Sequence, residues 1–298
     1  MNAPGGSRAR IVAVFGALVA IWGTTWLAIR IGLESYPPFF SLALRFCVAG
    51  PLILLILRLR GERIPWALRH QPFFLLLGLL SYVTSFGVVY WGEQYVTSGL
   101  AAVIFGLLPL LTGVVAHFLL PSERLGPGKV LGLALGLGGI VVLNSANLSL
   151  IHPRAPLAAI VLTVSPLVTA ISSVLSKKRV HEFPALALAG IPMIYAGLLH
   201  IVLWRVFEHD RPIAWSWPGV ASIAYLTVFG SVVTFTGYFW LLRRLEVSRV
   251  SLIAYMTPLV ALTVGVVFGG ETLPGRVIAG AALVLCGVGV ASRVRRRL

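Results

Sequence analysis

The chain has 298 residues, of which 58% are hydrophobic and only 11% are charged. Soluble domains carry about 25% charged residues, so this composition excludes a soluble globular protein and predicts an integral membrane protein. The formal net charge is +15. Because the basic residues lie in short segments between apolar runs rather than in one domain, they argue against a nucleic-acid partner.

Apolar runs of about 20 residues, the length that crosses a bilayer as a helix, follow one another along almost the whole chain. Turn formers and charged residues separate these runs. No cleavage site follows the first run, which we expect to be a retained helix rather than a signal peptide. The ten predicted transmembrane helices cover residues 11–29, 37–57, 72–91, 98–119, 130–147, 157–175, 185–204, 218–241, 250–269 and 277–291.

The basic residues predict the orientation of these helices. When the segments between spans are assigned alternately to the two sides, 18 of the 24 Lys and Arg residues fall on the side of the N-terminus. Only five fall on the other side, and Arg45 lies within a span. Because positive loops stay in the cytoplasm, both termini are predicted to be cytoplasmic in a multi-pass protein of the inner (cell) membrane.

An internal repeat divides the chain. One glutamate and two glycines recur at an offset of 148 residues, as Glu123, Gly132 and Gly139 in the first half and as Glu271, Gly280 and Gly287 in the second. With five helices in each half, the second half enters the membrane upside-down relative to the first. The predicted fold is therefore an all-α integral membrane protein with two inverted five-helix repeats, residues 1–150 and 151–298, an arrangement typical of transporters with a site between the halves.

Several short motifs carry a family resemblance. Residues 22–30 read WGTTWLAIR, residues 42–46 read LALRF, and residues 95–102 read YVTSGLAA before Pro109. Together with the glutamate–glycine pattern, they resemble the EamA-type drug/metabolite transporter superfamily. The resemblance implies a ten-helix exporter of small metabolites, with a central cavity lined by spans 1, 3, 4, 6, 8 and 9. In layout the chain is similar to amino-acid exporters, including those for aromatic amino acids.

Arg45 is the only formal charge well inside a predicted span. A charge at that depth usually faces protein or water rather than lipid. One interpretation is that Arg45 anchors a carboxylate of the substrate. The alternative is structural: Arg45 pairs with Glu93 or Glu34 near the outer edge, or with backbone carbonyls. The second half has Ala189 where the repeat would place an arginine, so any site built on Arg45 is asymmetric.

Hydroxyl and aromatic side chains recur at helical spacing on the spans that the resemblance places at the cavity. On span eight, for example, Thr227, Ser231, Thr234 and Tyr238 follow at intervals of four, three and four, which predicts one helical face. Such stripes also occur where helices pack closely, so a packing role stays open. The candidate substrate-binding residues, in addition to Arg45, are Trp22, Tyr82, Ser85, Tyr90, Thr234 and Tyr238.

Three prolines lie in the middle of predicted spans: Pro109, Pro166 and Pro258. Each removes a backbone hydrogen bond and tends to kink its helix. They are candidate hinges for gating, or positions where a carbonyl is freed to face the substrate. The alternative is a fixed bend that serves packing.

No motif of a hydrolase, a P-loop enzyme or a zinc protease is present, and no carboxylate pair lies inside a span. The two cysteines lie in separate apolar runs, and neither a metal nor a cofactor is predicted. We therefore expect a transporter rather than an enzyme, with a small-molecule substrate and the lipid bilayer as partners. An importer with the same fold is the main alternative, and a membrane-embedded enzyme is a lesser one.

The acidic residues bear on how transport would be driven. All nine fall in predicted loops or at the ends of spans. Cation-coupled carriers often place a carboxylate within the membrane, where burial raises its pKa. The sequence therefore favours transport down the gradient of the substrate.

Overall fold

The computed structural model describes residues 5–96, 98–144 and 153–269, together with 279–280, 282–283, 285–287 and 289–290. Within these ranges the chain forms helices and connecting turns, with no strand. The helices are α1 (Gly5–Leu33), α2 (Pro38–Leu59), α3 (Leu68–Gly92), α4 (Ser98–Phe105), α5 (Leu108–Leu119), α6 (Pro127–Asn144), α7 (Ala155–Leu162), α8 (Val164–Lys178), α9 (Ala185–Phe207), α10 (Trp217–Leu242), α11 (Val247–Val250) and α12 (Ile253–Gly269).

Six helical stretches are long and apolar enough to cross a membrane, counting α7 and α8 as one stretch of 24 residues. They coincide with the first, second, third, sixth, seventh and eighth predicted spans, and they confirm a multi-pass membrane protein. Six of the fifteen residues of the tenth predicted span, and Glu271 of the repeat pattern, lie outside the described residues. The count of ten helices and the inverted repeat therefore stay predictions.

The helix is broken within two of the predicted spans. The span predicted at 98–119 ends as α4 at Phe105 and resumes as α5 at Leu108, and the span predicted at 157–175 is interrupted at Thr163. Phe105 lies four residues before Pro109, and Leu162 lies four residues before Pro166. A proline has no N–H for the carbonyl four residues earlier and its ring clashes with that carbonyl, so the helix breaks there.

The helices α2 and α9 pack closely along their length. A Cβ atom at Gly50 would lie 2.9 Å from the backbone nitrogen of Ile194, and one at Gly197 would lie 2.8 Å from the backbone nitrogen of Cys47. Only glycine permits the two backbones to approach so closely. Inside a membrane there is no hydrophobic driving force between helices, so van der Waals contacts of this kind hold them together. The contact places the buried face of α2, with Arg45, against the centre of the bundle.

Buried carboxylates cap helices at both ends of the bundle. At one end, called the Glu208 end, Glu208 accepts a hydrogen bond of 2.8 Å from the backbone nitrogen of Phe39 at the start of α2. At the opposite, Glu123 end, Glu123 accepts bonds from the backbone nitrogens of Val247 (2.8 Å) and Ser248 (3.2 Å) and from the Ser248 hydroxyl (3.0 Å). Both carboxylates satisfy N–H groups that a helix start leaves unpaired.

Changing Glu123 to glutamine is expected to lower the free energy of unfolding by about 1–2 kcal/mol, because hydrogen bonds to a charged acceptor contribute about 1.5–3 kcal/mol and neutral ones about 0.5–1.5 kcal/mol. Thermal unfolding of the purified protein in detergent measures the change. Glu62→Gln, at an exposed position, is the matched control. Equal unfolding midpoints for the two variants would show that the cap does not stabilise the bundle.

Candidate functional site

A cavity of about 130 Å³ lies at the centre of the bundle. Its walls come mainly from α1, α3, α8, α10 and α12, with single residues from α2, α4, α5, α9 and α11. The lining residues are Trp22, Thr25, Trp26, Ile29, Arg45, Leu77, Ser81, Tyr82, Ser85, Phe86, Val89, Phe105, Leu108, Thr169, Ser172, Ser173, Ser176, Leu188, Phe235, Tyr238, Phe239, Val250, Ser251, Ile253, Ala254 and Thr257.

The described lining residues are mostly neutral and include a positive charge but no negative one. Aromatic rings and hydroxyl groups dominate, and Arg45 is the one charged side chain among the described lining residues. No carboxylate belongs to this lining. The cavity therefore offers one positive charge, several neutral donors and acceptors, and apolar faces.

Arg45 is only 1% exposed, and its guanidinium is hydrogen-bonded to protein groups. Its Nε donates to the Ser231 hydroxyl at 2.8 Å, and its Nη2 donates to the Gly230 carbonyl at 2.9 Å. Its Nη1 donates to the Tyr90 hydroxyl at 3.1 Å, and its guanidinium carbon lies 4.8 Å from the centre of the Phe86 ring. Three of the five guanidinium N–H donors are thus occupied.

Of the structural pairings that the sequence left open for Arg45, the one with a backbone carbonyl is present, in the bond to Gly230. The pairing with Glu93 or Glu34 is wrong: among the ion pairs of the described chain, none involves Arg45. The guanidinium of Arg45 instead reaches Tyr90, which lies three residues before Glu93 in the chain. Within the described chain, the guanidinium charge therefore has no carboxylate partner.

Hydroxyl groups join α8 to its neighbours along one wall. The Ser85 hydroxyl lies 2.8 Å from both the Ser165 hydroxyl and the Thr169 hydroxyl. Farther along, the Ser81 hydroxyl donates to Ser172 at 2.7 Å. Because each of these groups can donate and accept, the row can rearrange its hydrogen bonds around a polar ligand.

Aromatic rings form the facing wall. The ring of Phe235 has its centre 5.6 Å from that of Trp22 and 5.0 Å from that of Tyr82. Trp22 also lies 5.9 Å from Tyr238, whose hydroxyl donates to Ser173 at 2.8 Å. These are edge-to-face or tilted contacts, the geometry that aromatic pairs prefer. They leave ring surface for a further apolar group.

Two of the predicted substrate-binding residues do not line the cavity. Trp22, Arg45, Tyr82, Ser85 and Tyr238 do. Tyr90 lies behind Arg45 as its hydrogen-bond partner. Thr234 is fully buried away from the cavity, and its hydroxyl has no hydrogen-bond partner among the described residues.

The backbone of α10 departs from regular α-helical geometry just before Thr234. Residues Val228–Val233 of α10 form a π-helical segment, and so do Gly78–Ser85 of α3. A π-helical turn holds an additional residue, so each such turn rotates the following side chains by roughly 100° relative to the spacing of 3.6 residues per turn. Of the predicted stripe on α10 only Tyr238 lines the cavity, together with Phe235 and Phe239.

Other lining residues were missed for a simpler reason. Ser172 and Ser176 continue a face that begins at Thr169, at intervals of three and four residues. This spacing was an available signal. Trp26 and Phe105 carry no comparable signal, since one aromatic residue in an apolar helix does not reveal which way it faces.

The three candidate hinge prolines border the cavity without lining it. Pro109 and Pro166 lie at the second and third positions of α5 and α8, and Pro258 lies inside α12. The Ala254 carbonyl, which Pro258 deprives of its helical partner, accepts a bond of 3.2 Å from the Thr257 hydroxyl. Both Ala254 and Thr257 line the cavity. A gating role for these prolines stays a prediction.

A helical membrane bundle around a central cavity of mixed polarity is the architecture of a membrane transporter. The model of the EamA-like transporter family matches this chain twice, over residues 10–145 and 156–293. The chain belongs to this family, as its sequence motifs predicted.

Individual relatives agree with this assignment. The chain is 35% identical to the uncharacterized inner membrane transporter YedA of Escherichia coli (strain K12), over 89% of this chain and 85% of that protein. It is 28% identical to the protein PagO of Salmonella typhimurium, over 85% and 83%, and 25% identical to the uncharacterized transporter YoaV of Bacillus subtilis, over 91% and 93%. A solved crystal structure, 23% identical, has the same fold, with a TM-score of 0.79 over 97% of this chain and 98% of its own.

Proposed function

We propose that this transporter exports small organic metabolites that carry a carboxylate, with amino acids, including aromatic ones, as the best candidates. The observation that carries the proposal is Arg45, which lines a cavity of aromatic and hydroxyl groups and has no carboxylate partner among the described residues. Two guanidinium N–H donors remain for a ligand, and a planar guanidinium matches the two oxygens of a carboxylate.

The rest of the cavity suits the rest of such a substrate. The rings of Trp22, Tyr82 and Phe235 offer an apolar and aromatic surface, on which a side chain can pack. The hydroxyl row on α8 accepts hydrogen bonds from an ammonium group. A cationic drug without a carboxylate would find no counter-charge among the described lining residues.

Alternating access between two inverted five-helix repeats is the proposed mechanism. Its support is the double match of the family model and the presence of a π-helical segment in α3 and in α10, beginning 150 residues apart. With both termini in the cytoplasm, as the distribution of basic residues favours, the Glu208 end faces outward. The Glu123 end then faces the cytoplasm.

Growth of cells on p-fluorophenylalanine, a toxic amino-acid analogue, tests the function. Overexpression of an exporter is expected to raise tolerance, because less of the analogue accumulates, and deletion is expected to lower it. An importer produces the opposite pattern. In proteoliposomes that contain the purified protein, labelled phenylalanine is expected to exchange across the membrane, and a cationic dye is not. Absence of phenylalanine exchange would refute the proposed substrate class.

A further inference from the structure

Three carboxylates are more than nine-tenths buried in the described chain: Glu93 (8% exposed), Glu123 (3%) and Glu208 (4%). Two of them accept hydrogen bonds from backbone N–H groups at helix starts. Glu93 differs, because neither of its carboxylate oxygens has a hydrogen-bond partner among the described residues. A buried ionised carboxylate without partners costs far more free energy than a neutral one.

Glu93 lies about one helical turn from a residue that lines the cavity. It directly follows α3, and a residue of that helix one turn earlier, Val89, lines the cavity. Tyr90, also one turn earlier, accepts the hydrogen bond from Arg45. The neighbouring residue Gln94 accepts a bond of 2.9 Å from Arg211, which places Glu93 at the Glu208 end of the bundle.

The charged and titratable groups around Glu93 do not neutralise it. Arg30 on α1 attracts its charge, but Arg30 is exposed and forms no ion pair with it. Tyr90 precedes it on α3, Arg45 lies on α2, and Arg154 directly precedes α7, the helix that packs against the end of α3. Burial raises the pKa of the Glu93 carboxyl well above its usual range, and the attraction from Arg30 opposes this only in part.

We propose that Glu93 is a proton-binding site that couples export of the substrate to entry of a proton. The proposal rests on the proposed function for its direction. One proton binds the Glu93 carboxylate when the Glu208 end is open to water, and closure of that end buries the neutral acid. When the Glu123 end opens, the proton leaves through the cavity. The substrate carboxylate, bound at Arg45, moves in the opposite direction.

This proposal departs from the expectation that transport follows the substrate gradient alone. That expectation was based on the position of every acidic residue in a predicted loop or at the end of a span. The position of Glu93 at the end of α3 was predicted correctly, but its burial depends on neighbours that the local sequence does not reveal.

Infrared spectroscopy of the purified protein at pH 7, without substrate, measures the proton directly. The carbonyl band of a protonated carboxyl group is expected in the wild type and in Glu34→Gln, an exposed control at the same end, and is expected to be lost in Glu93→Gln. A spectrum of Glu93→Gln that still contains the whole band, or a wild type without the band, would overturn the proposal. Neither result depends on which substrate the protein carries.

Transport in proteoliposomes measures the coupling. At zero membrane potential, a gradient of one pH unit is expected to concentrate labelled phenylalanine about tenfold on the acidic side when one proton is exchanged for each substrate molecule. Glu93→Gln is expected to abolish this accumulation and to retain exchange at equal pH. Accumulation by the variant equal to that of the wild type would overturn the coupling. If the wild type does not exchange phenylalanine at all, the proposed substrate class fails, and the infrared band still decides whether Glu93 holds a proton.

Discussion

Replacing Arg45 with lysine is expected to raise the phenylalanine concentration for half-maximal exchange roughly ten- to hundredfold, the equivalent of one charge-assisted hydrogen bond of about 1.5–3 kcal/mol. Lysine keeps the positive charge but loses the planar fork that holds a carboxylate by two bonds. The same change also weakens the contacts to Ser231, Gly230 and Tyr90. We therefore expect a lower unfolding temperature as well.

A substrate analogue separates the two effects. Phenylalaninamide lacks the carboxylate, so its ability to compete with phenylalanine is expected to change little between the wild type and Arg45→Lys. A purely structural role of Arg45 would weaken both ligands equally and contradict the assignment. Arg58→Lys, an exposed change on the same helix, is the matched control and is expected to leave both the affinity and the stability unchanged.

Removing the hydroxyl of Tyr82 is expected to weaken phenylalanine exchange about threefold to tenfold, which corresponds to a hydrogen bond of about 0.5–1.5 kcal/mol. Tyr82 lines the cavity, and its hydroxyl makes no hydrogen bond within the described chain, so it is available to a ligand. The Tyr238 hydroxyl instead donates to Ser173. Tyr82→Phe is therefore expected to impair exchange without a change in stability, whereas Tyr238→Phe is expected to lower both.

Tyr195→Phe provides the control for this pair. Tyr195 lies outside the cavity and donates to the Gln71 side chain at 2.9 Å, so its change is expected to affect stability alone. Half-saturation of exchange and thermal unfolding are measured for all three variants. Full transport by Tyr82→Phe would show that its ring, and not its hydroxyl, contributes to the cavity. Equal effects of Tyr82→Phe and Tyr195→Phe on exchange would contradict a binding role for the hydroxyl.

Much of the candidate site could be predicted, but its assembly could not. Periodicity and the family motifs selected Trp22, Tyr82, Ser85 and Tyr238, which do line the cavity. The same periodicity failed at Thr234, although it succeeded at Tyr238 four residues later on the same helix. Nothing in the local sequence indicated the π-helical segment that ends at Val233.

The sequence by itself determined the class of the protein and the positions of its six long spans, because the hydrophobicity needed to cross a bilayer is a local property of about 20 residues. It also contained the signal for the breaks before Pro109 and Pro166, since a proline acts on the carbonyl four residues earlier. Only the tertiary structure decided the partners of Arg45, because Gly230 and Ser231 lie more than 180 residues away along the chain. For the same reason it alone showed that Glu93 is buried without a hydrogen-bond partner among the described residues, since burial depends on packing between distant helices.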